Sequence, residues 1–339
     1  MSPHGAAPLS VRRPLSGDDV ADAAVSVSDD VRRAWDALLA LRAGRLAPGD
    51  GDQDLGLDAA GRLIPLPPGS ADALLSRRGG TIGTADAASE AARALLDLYL
   101  PIAAASAERP LTVAHLGQSL DGYIATDSGD SFYVTGPDNV LHLHRMRALS
   151  GAVIVGAETV SMDDPRLTAR RAAGPNPLRV VLDPRRRLAA HYRVFSDREA
   201  PTLLICAEDR VDEAGPAHGR AEVVGIPAPA GRLALDALLA LLHARGIRAV
   251  FVEGGGATVS HFLQAGLLDR LQIAVAPIVT GHGRPGIRLV ARHHISECLR
   301  PAHRVFRMGG DVLFDCDLGR EAEAPEPADG ADASLSRIL

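Results

Sequence analysis

The stretch VEGGGATVS, from Val252 to Ser260, places a carboxylate directly before three consecutive glycines. An apolar run ends at Glu253 and a helix-like pattern begins near Ala257, so the glycines occupy a predicted strand-to-helix turn. Glycine lets an anion approach the backbone closely, and a helix N-terminus offers it free N–H groups. The spacing differs from the dinucleotide fingerprint, which requires glycine at Val259. Taken alone, the turn leaves a phosphate cradle and a plain connection equally open.

A second polar segment, GQSLDGYIATDSGDSFYVTGPDN (Gly117–Asn139), follows a predicted strand. Its small polar residues and glycines are typical of a ligand-binding loop at the end of a strand. The string GDSF within it resembles the nucleophile block of GDSL-type hydrolases. Those enzymes also need a DxxH sequence for the base, and the chain contains none. The sequence therefore argues against a hydrolase of that type.

A third segment, VGAETVSMDDPRLTARR, holds the adjacent carboxylates Asp163 and Asp164 before a proline turn, with arginines close behind. Such a string is usually a capped turn with solvated arginines. The alternative is that Arg170 binds a phosphate and one aspartate binds a polar substrate group. Arg145 and Arg147, on the preceding predicted helix, either add an anion contact or face water.

Several functions are excluded by residue types. All 36 basic side chains are arginine, and a P-loop, a Schiff-base enzyme and an SxxK hydrolase each need lysine. His142 and His144 lie two apart on a predicted helix and point to different faces, so we predict no metal site. The net charge of −6 gives no basic surface for nucleic acid, and no apolar run is long enough to span a bilayer.

Three widely spaced cysteines and the absence of an apolar leader near the N-terminus predict a cytoplasmic protein without disulfides. Residues 1–108 read as a small, mostly helical region, with helices over Val27–Gly44 and Ala85–Ser106 and a Gly/Asp/Pro-rich connector between them. Ser28 is a plausible N-cap of the first helix.

From Leu111 onward, short apolar strands alternate with helices, which predicts an α/β layered fold with a largely parallel sheet. Two strands around Gly309 and Gly310 predict an antiparallel hairpin at the end of this domain, residues 109–319. Residues 320–339 are acidic and rich in proline and alanine, and they predict a disordered tail.

The polar segments, in this order, resemble the reductase half of the riboflavin-biosynthesis bifunctional deaminase–reductase family. The matching strings include GQSLDGYIAT, SGDSFYVTGPDN, VGAETVSMDDPRLTAR and VFVEGGGATVSHFLQAG. They fall between residues 109 and 318, about 60% of the chain. The resemblance implies a dihydrofolate-reductase-like, three-layer α/β fold with a mostly parallel mixed sheet. It also implies NADPH as cofactor, a phosphorylated small-molecule substrate and a homodimer.

The resemblance further implies site residues. The nicotinamide nucleotide is expected along Gly117, Tyr133, Thr159 and Asp163. Its phosphates are expected in the loop that begins at Gly254 and Gly255 and continues through Gly256, Ala257, Thr258 and Val259. Substrate is expected to contact Ser131, Arg147, Leu167, Arg170 and Glu253, with the arginines suited to a ribose 5-phosphate. Chemistry is expected from Glu253 and Asp163, as a proton donor for ring opening and a carboxylate that steadies an iminium.

Three departures from the family stand out. His115 replaces a lysine, and it either donates a hydrogen bond or proton, or packs beside the pocket. Pro184 replaces a serine on the adenosine side, although the nearby Arg185–Arg187 segment is a candidate clamp for a 2′-phosphate. Residues 1–108 lack a zinc-deaminase signature, so we predict a reductase without the deaminase half.

The sequence thus predicts an NADPH-dependent reductase of a phosphoribosylamino-pyrimidine, which transfers hydride to the first carbon of the ribose. The alternatives are a reductase of another C=N substrate, such as a pterin or folate, and a non-catalytic nucleotide-binding protein.

Overall fold

A computed structural model describes residues 28–46, 51–132 and 134–321 of the chain. Two layers of helices enclose a large mixed sheet, and a smaller antiparallel sheet accompanies the N-terminal helices. The α-helices are α1 Asp29–Arg42, α2 Glu90–Ala103, α3 Pro137–Leu149, α4 Ala157–Asp163, α5 Arg193–Ser196, α6 Asp209–Ala214, α7 Leu235–Ala244 and α8 Gly256–Gln264.

Four short strands lie between α1 and α2, and twelve more follow α2. In chain order they are β1 Gln53–Leu57, β2 Leu63–Leu66, β3 Leu75–Arg78, β4 Thr81–Thr84, β5 Leu111–Ser119, β6 Tyr123–Ala125, β7 Ala152–Gly156, β8 Leu178–Leu182, β9 Thr202–Ala207, β10 Ala217–His218, β11 Ala221–Ile226, β12 Ala249–Glu253, β13 Arg270–Ala276, β14 Arg284–Pro285, β15 Pro301–Met308 and β16 Asp311–Glu321.

The large sheet has ten strands in the order β10-β11-β9-β8-β7-β12-β5-β13-β16-β15. All neighbours from β11 through β13 are parallel, whereas β10 and the β15–β16 hairpin pair antiparallel at the two edges. The predicted parallel sheet and the predicted hairpin around Gly309 are both confirmed. Residues 322–339, which hold most of the expected disordered tail, lie outside the described part of the chain.

Successive residues of the central strands enter two different cores, because side chains alternate across a sheet. Val113 and Phe251 pack on one face with α1, α2 and α3. Ala114 and Val252 pack on the other face with α7 and α8. The result is the three-layer arrangement that the family resemblance implied. Among the described helices, none is long and apolar enough to cross a membrane.

The N-terminal module, which we define as described residues 28–108, contains both predicted helices, and Ser28 caps α1 by accepting a hydrogen bond from the Val31 N–H. The predicted connector is different: it folds into the four-stranded sheet β2-β1-β3-β4. Its strands are only four or five residues long and are separated by glycine and proline turns, so their composition resembles that of a loop. Leu55, Leu63 and Leu75 are completely buried and anchor this sheet.

The N-terminal module packs directly against α3. The Trp35 Nε1–H donates to the Ala173 carbonyl at 3.0 Å. The Arg42 guanidinium donates to the carbonyls of Leu149 and Ser150, at 2.9 and 3.1 Å, at the C-terminal end of α3. Helix α3 is therefore held between the N-terminal module and the large sheet.

Candidate active site

A cavity of about 500 Å³ opens where three parallel strands end, at the carboxyl ends of β5, β7 and β12. This is the edge at which open α/β sheets bind ligands. Its lining combines His115 and Gly117 from β5, Asp163 from α4, and Glu253 with the glycines that follow β12. Another cavity, of about 670 Å³, lies beside α1 and away from these strand ends.

The three glycines form the turn into α8, two because of their backbone angles and one because of close packing. Gly254 and Gly255 have φ angles of +73° and +66°, a region that side chains other than glycine rarely adopt. A Cβ atom at Gly256 would overlap the Gly286 carbonyl and lie 2.7 Å from the Pro285 carbonyl oxygen. Gly255 has no capping side chain, so the first N–H groups of α8 are available to a ligand.

Two further glycines bring polar side chains close to this turn. A Cβ at Gly156, the residue before α4, would lie 2.6 Å from the Thr258 hydroxyl, so the N-terminal ends of α4 and α8 meet there. A Cβ at Gly117 would lie 2.7 Å from the Thr135 methyl group and 3.3 Å from the Asn139 amide nitrogen. Glycine at these positions therefore permits the two walls of the cavity to approach each other.

Glu253 forms a two-pronged ion pair with Arg147 across the buried end of β12. The Arg147 Nε–H donates to Oε2 at 2.7 Å, and its Nη2 group donates to Oε1. The two side chains are only 8% and 12% exposed, and Arg147 also donates to the Thr168 carbonyl at 3.0 Å. Both carboxylate oxygens of Glu253 are thus hydrogen-bond acceptors, and the guanidinium of Arg147 is committed within the protein.

The two adjacent aspartates have separate environments. Asp163 lines the cavity, and partial burial raises the pKa of its carboxyl, an effect that Arg284 opposes. Asp164 ends α4 in the left-handed conformation, with φ of 39°, and accepts the Arg193 N–H at 2.7 Å. Leu167, also at positive φ (56°), is buried and lines the cavity. Strained backbone of this kind recurs at ligand sites.

Arginines gather in the loop after Asp164. Burial, with Arg147, Arg166 and Arg171 nearby, lowers the pKa of Arg170. Burial, with Arg147, Arg170 and Arg171 nearby, lowers the pKa of His144 to about 3. Within the described residues no carboxylate forms an ion pair with Arg170 or Arg171, and Glu199, which pairs with Arg166, offsets part of the positive charge of this loop.

His115 lies in β5 at the cavity and is 2% exposed. Burial holds the pKa of its imidazole well below the ordinary value, and the neighbouring His142 adds to this shift. The Asn139 side chain opposes the shift, but it does not meet the geometry of a hydrogen bond. Among the described residues neither ring nitrogen of His115 has a partner. His115 is therefore a neutral group at physiological pH and not a cationic proton donor.

Most of the residues expected at the site line this one cavity: His115, Gly117, Ser131, Thr159, Asp163, Leu167, Glu253, Gly254, Gly255, Gly256 and Ala257. Arg147, Arg170, Thr258 and Val259 do not line it, and the Val259 side chain belongs to the core. Tyr133 lies outside the described residues. Their contacts with ligands stay predictions.

Sequence reasoning missed other lining residues: Thr135, Asn139, Met162, Glu158, Arg284 and Arg288. Arg284 pairs with Glu158 at 2.8 Å and reaches the cavity from β14. The GRPGIR string that carries both arginines shows no periodicity and no motif. Asn139 is the last residue of the second polar segment, Gly117–Asn139, but its burial has no sequence signal.

The fold and the site define a class of protein, a three-layer α/β protein with a glycine turn and two carboxylates at the carboxyl edge of its sheet. Residues 110–299, more than half of the chain, match the RibD C-terminal domain, and the chain belongs to that family.

Among curated relatives, the 2,5-diamino-6-ribosylamino-4(3H)-pyrimidinone 5′-phosphate reductase of Methanothermobacter thermautotrophicus is 38% identical over 215 residues, 61% of this chain and 97% of that protein. The riboflavin biosynthesis protein RibD of Aquifex aeolicus is 32% identical over 177 residues, 52% of this chain and 49% of that protein. The chain is therefore an oxidoreductase by class, similar to reductases of riboflavin biosynthesis.

Among solved structures, the diaminohydroxyphosphoribosylaminopyrimidine deaminase/5-amino-6-(5-phosphoribosylamino)uracil reductase of Thermotoga maritima aligns with a TM-score of 0.52 at 26% identity. The alignment covers 68% of this chain and 62% of that chain. The matched part is thus the α/β domain with its cavity, and the family expected from the sequence is confirmed.

Proposed function

We propose that the chain is an NADPH-dependent reductase of a ribosylaminopyrimidine 5′-phosphate, which converts the ribosylamino group to a ribitylamino group. One observation carries the proposal: a single cavity joins a glycine turn suited to a diphosphate, the carboxylates Asp163 and Glu253, and the arginines Arg284 and Arg288. The printed names of the relatives supply the substrate class, because they are reductases of such phosphates.

The residues around the glycine turn fit a nicotinamide dinucleotide. Positive φ angles at Gly254 and Gly255, together with the free N–H groups of α8, give a bare backbone surface for phosphate oxygens. Thr159 lies beside this surface, since a Cβ at Gly255 would be 3.1 Å from its hydroxyl. When bound there, the reduced nicotinamide supplies a hydride. The fit of the cofactor to this surface can be tested by adding a methyl group to the backbone of the turn.

The steric test compares two glycines. Gly256→Ala places a methyl group against the carbonyls of Pro285 and Gly286, so we expect the turn to shift and NADPH binding to weaken by tenfold or more, about 1.4 kcal/mol. Gly310→Ala is the matched control, because that position has open space around its Cβ. Quenching or enhancement of NADPH fluorescence measures both. Equal affinities in the two variants would argue against the cradle.

In the proposed reaction the bond between the first ribose carbon and the ring oxygen breaks. The carbon gains the hydride and the ring oxygen gains a proton. Asp163 is the better proton donor of the two carboxyls, because its pKa is raised. Glu253 accepts two hydrogen bonds from Arg147 and is better suited to stabilise the positive charge that develops on the opened iminium.

Arg170 is the proposed contact for the substrate phosphate. Arg147 was expected to share this role, but its guanidinium is already engaged by Glu253 and by the Thr168 carbonyl. Arg170 has no such engagement among the described residues, and it lies near Arg147, Arg166 and Arg171, with Glu199 as the nearby carboxylate. We expect Arg170→Gln to raise KM for the phosphorylated substrate about tenfold and to leave KM for NADPH unchanged.

We propose that the segment after β8 gives the enzyme its preference for NADPH over NADH. Arg186 is tied to the carbonyls of Gly215 and Ala217, at 2.7 and 2.8 Å, so it shapes the loop. Arg185 and Arg187 are exposed on either side of it. We expect Arg185→Gln and Arg187→Gln to raise KM for NADPH but not for NADH.

Turnover assays separate the candidate functions. Purified protein is given NADPH with the diaminopyrimidinone ribosylamine phosphate, with its deaminated uracil counterpart, and with dihydropterin or dihydrofolate substrates. We expect oxidation of NADPH with one or both ribosylamine phosphates. Turnover of the pterins alone would favour the C=N alternative, and NADPH binding without any turnover would favour a non-catalytic role. Glu253→Gln should bind NADPH and lose turnover.

A homodimer and a cytoplasmic location complete the proposal. Between β13 and β15 the chain has little regular structure, and it exposes six large apolar side chains: Ile278, Val279, Leu289, Val290, Ile295 and Leu299. Exposed apolar side chains of this kind are suited to burial against a second copy. We expect light scattering to give twice the chain mass, and Leu289→Glu with Val290→Glu to give the monomer. The three free cysteines suit a reducing compartment.

A further inference from the structure

Arg42, the last residue of α1, anchors the C-terminal end of α3. Its Nε–H donates to the Leu149 carbonyl at 2.9 Å, and its Nη2 group donates to the Ser150 carbonyl at 3.1 Å. The last carbonyls of a helix have no partner within that helix, and the helix dipole favours a cation beside them. The Arg42 side chain is half-buried and forms no ion pair with a carboxylate of the described residues. Its guanidinium is therefore committed to the end of α3.

Two more contacts from the N-terminal module reach the middle of α3. The Arg145 guanidinium lies over the rings of Trp35 and Tyr99, at 5.7 and 5.8 Å from their centroids. The Tyr99 hydroxyl is 2.7 Å from the Nδ1 atom of His142. His142 and Arg145 are three residues apart, so they lie on one face of the helix. This face of α3 thus packs against α1 and α2.

A hydrogen-bond chain fixes the direction of the bond between Tyr99 and His142. The Asp315 carboxylate is ion-paired with Arg270 and accepts the Gln272 amide N–H at 3.2 Å. The Gln272 Oε1 atom therefore accepts from the Nε2–H of His142, at 2.9 Å. The Nδ1 atom of His142 must then accept from the Tyr99 hydroxyl. Helix α3 is thus hydrogen-bonded both to the module and to the large sheet.

A second face of α3 carries the groups that reach the active site. Asn139, Leu143 and Arg147 are spaced by four residues and so form one stripe along the helix. Asn139 and Leu143 line the cavity, and Arg147 binds both carboxylate oxygens of Glu253. Arg147 lies in the last turn of α3, beside the carbonyls that the module anchors. One turn of helix therefore joins the module to the proposed catalytic carboxylate.

We propose that the N-terminal module is a positioning element of the active site, and that Arg42 holds the last turn of α3 so that Arg147 keeps Glu253 in place. This inference rests on the proposed function and extends it to a segment outside the family match, which begins at residue 110. Without the anchor, the last turn of α3 frays and the Glu253 carboxylate loses its fixed orientation. That carboxylate stabilises the iminium in the proposed reaction, so the loss falls on kcat.

Cofactor binding does not depend on this anchor. The glycine turn keeps its shape through the positive φ angles of Gly254 and Gly255 and through the close approach of Gly256 to the Pro285 carbonyl. Those contacts do not involve α3. A change that weakened the whole fold would instead lower cofactor binding and turnover together. The two effects, compared in one variant, distinguish positioning from general stabilisation.

Three substitutions test the role of Arg42. Arg42→Met keeps the aliphatic stem but removes the donors, and we expect kcat to fall about tenfold to a hundredfold. The KM for NADPH should stay within about twofold of the wild type. Arg42→Lys retains a cation that can donate to the same carbonyls, so kcat should return to within roughly threefold of the wild type. Arg33→Met is the matched control and should leave kcat unchanged, because Arg33 lies on the same helix but pairs with Asp72 of the module.

Two further measurements separate positioning from a loss of folded protein. The number of NADPH molecules bound per chain should be the same in Arg42→Met and in the wild type. Amide hydrogen exchange in Arg42→Met should quicken by about tenfold in the last turn of α3 and in residues 253–256, but not in β8 and β9. A bound NADPH count that falls in proportion to kcat would mean general stabilisation. Unchanged exchange at the end of α3 would mean that Arg42 does not hold it, and either result overturns the inference.

Failure of the inference can be told apart from failure of the proposed function. If the wild type turns over no ribosylaminopyrimidine phosphate, the function is wrong, and hydrogen exchange still tests the anchor. If the wild type turns it over and Arg42→Met keeps the same kcat, only the positioning role is wrong. If Arg42→Met does not fold, Arg42→Gln replaces it, with Arg33→Gln as its control. Equal kcat values in those two variants would overturn the inference in the same way.

Discussion

His142 and His115 lie side by side, yet one belongs to a fully hydrogen-bonded network and the other to a cavity wall with unpaired atoms. His142 is bonded on both ring nitrogens, by Tyr99 from the N-terminal module and by Gln272 from the large sheet. His115 has no such partner among the described residues. Burial is nearly the same for both, at 1% and 2% exposure, so burial alone does not distinguish a structural histidine from a functional one.

The comparison separates the buried polar groups that stabilise the fold from those that are placed to bind a ligand. Behind the cavity, Tyr99, His142 and Gln272 form a hydrogen-bonded chain that ends at the Asp315 ion pairs, although Gln53 Nε2 and Ser150 Oγ on the module side lack partners among the described residues. On the cavity side, unpaired atoms remain at His115, Asn139 and Thr168, and Leu167 has a strained backbone. Local rules of good packing tend to be broken at sites that await a ligand.

We expect the largest loss of stability on disruption of the buried ion pair between Arg147 and Glu253. Arg147→Met leaves the Glu253 carboxylate buried without its partner, which should lower the free energy of unfolding by about 3–5 kcal/mol and abolish turnover. Chemical denaturation measures the stability. The double variant Arg147→Met with Glu253→Gln is the control and should recover part of the loss. Equal stability of the single variant and the wild type would show that the pair is not a stabilising element.

The next effect contrasts the two histidines directly. His142→Leu leaves the Tyr99 hydroxyl and the Gln272 carbonyl oxygen without partners, so we expect a loss of about 2–4 kcal/mol. His115→Leu, the matched control at the same depth and with the same change of side chain, should lose nothing. Denaturation of both variants in one buffer makes the comparison. Equal losses of stability in the two variants would show that His142 and His115 do not differ in their structural roles.

Acid titration sharpens the same contrast. The folded pKa of His142, about 3, lies below the ordinary value of 6.5, so the unfolded chain binds the extra proton between these pH values. Stability from this group is therefore complete above about pH 6.5 and declines as pH falls toward 3, by about 1.4 kcal/mol per pH unit. His142→Leu should show a shallower acid slope by that amount. An unchanged slope would mean that His142 is not held neutral.

The smallest effect concerns Tyr99, where only a hydroxyl is removed. Tyr99→Phe keeps the ring in the core but deprives the His142 Nδ1 atom of its donor, and we expect a loss of about 1 kcal/mol. Burial also raises the pKa of Tyr99 to about 12, so in the wild type part of the stability should disappear as pH rises from about 10 to 12. The variant should lack this alkaline decline, which a phenol absorbance titration can follow.

Sequence periodicity predicted the large sheet well because its strands are buried on both faces and read as continuous apolar runs. The small sheet was missed because its short strands alternate with turn residues. The glycine turn was predicted as a phosphate site through its resemblance to a family, and the backbone angles of Gly254 and Gly255 agree with that role.

Long-range partners could not be predicted. Arg147 was expected to bind substrate, but the structure pairs it with Glu253, which lies 106 residues further along the chain. His142 was considered only as a poor metal ligand, since its partner Gln272 is 130 residues away. Nothing in one sequence reports which distant residues meet inside a core.

The placement of α3 has a consequence for how this protein can be divided. The family match begins at residue 110, but α3 buries one side against α1 and α2, and Arg42 satisfies the carbonyls at its end. A gene truncated at that boundary would encode a domain whose central helix has lost half of its apolar cover. In a chimera of this N-terminal module with the reductase of a relative, the module would pack against a surface that does not match it. We therefore expect the module and the reductase domain to unfold together, and calorimetry should record one transition for both.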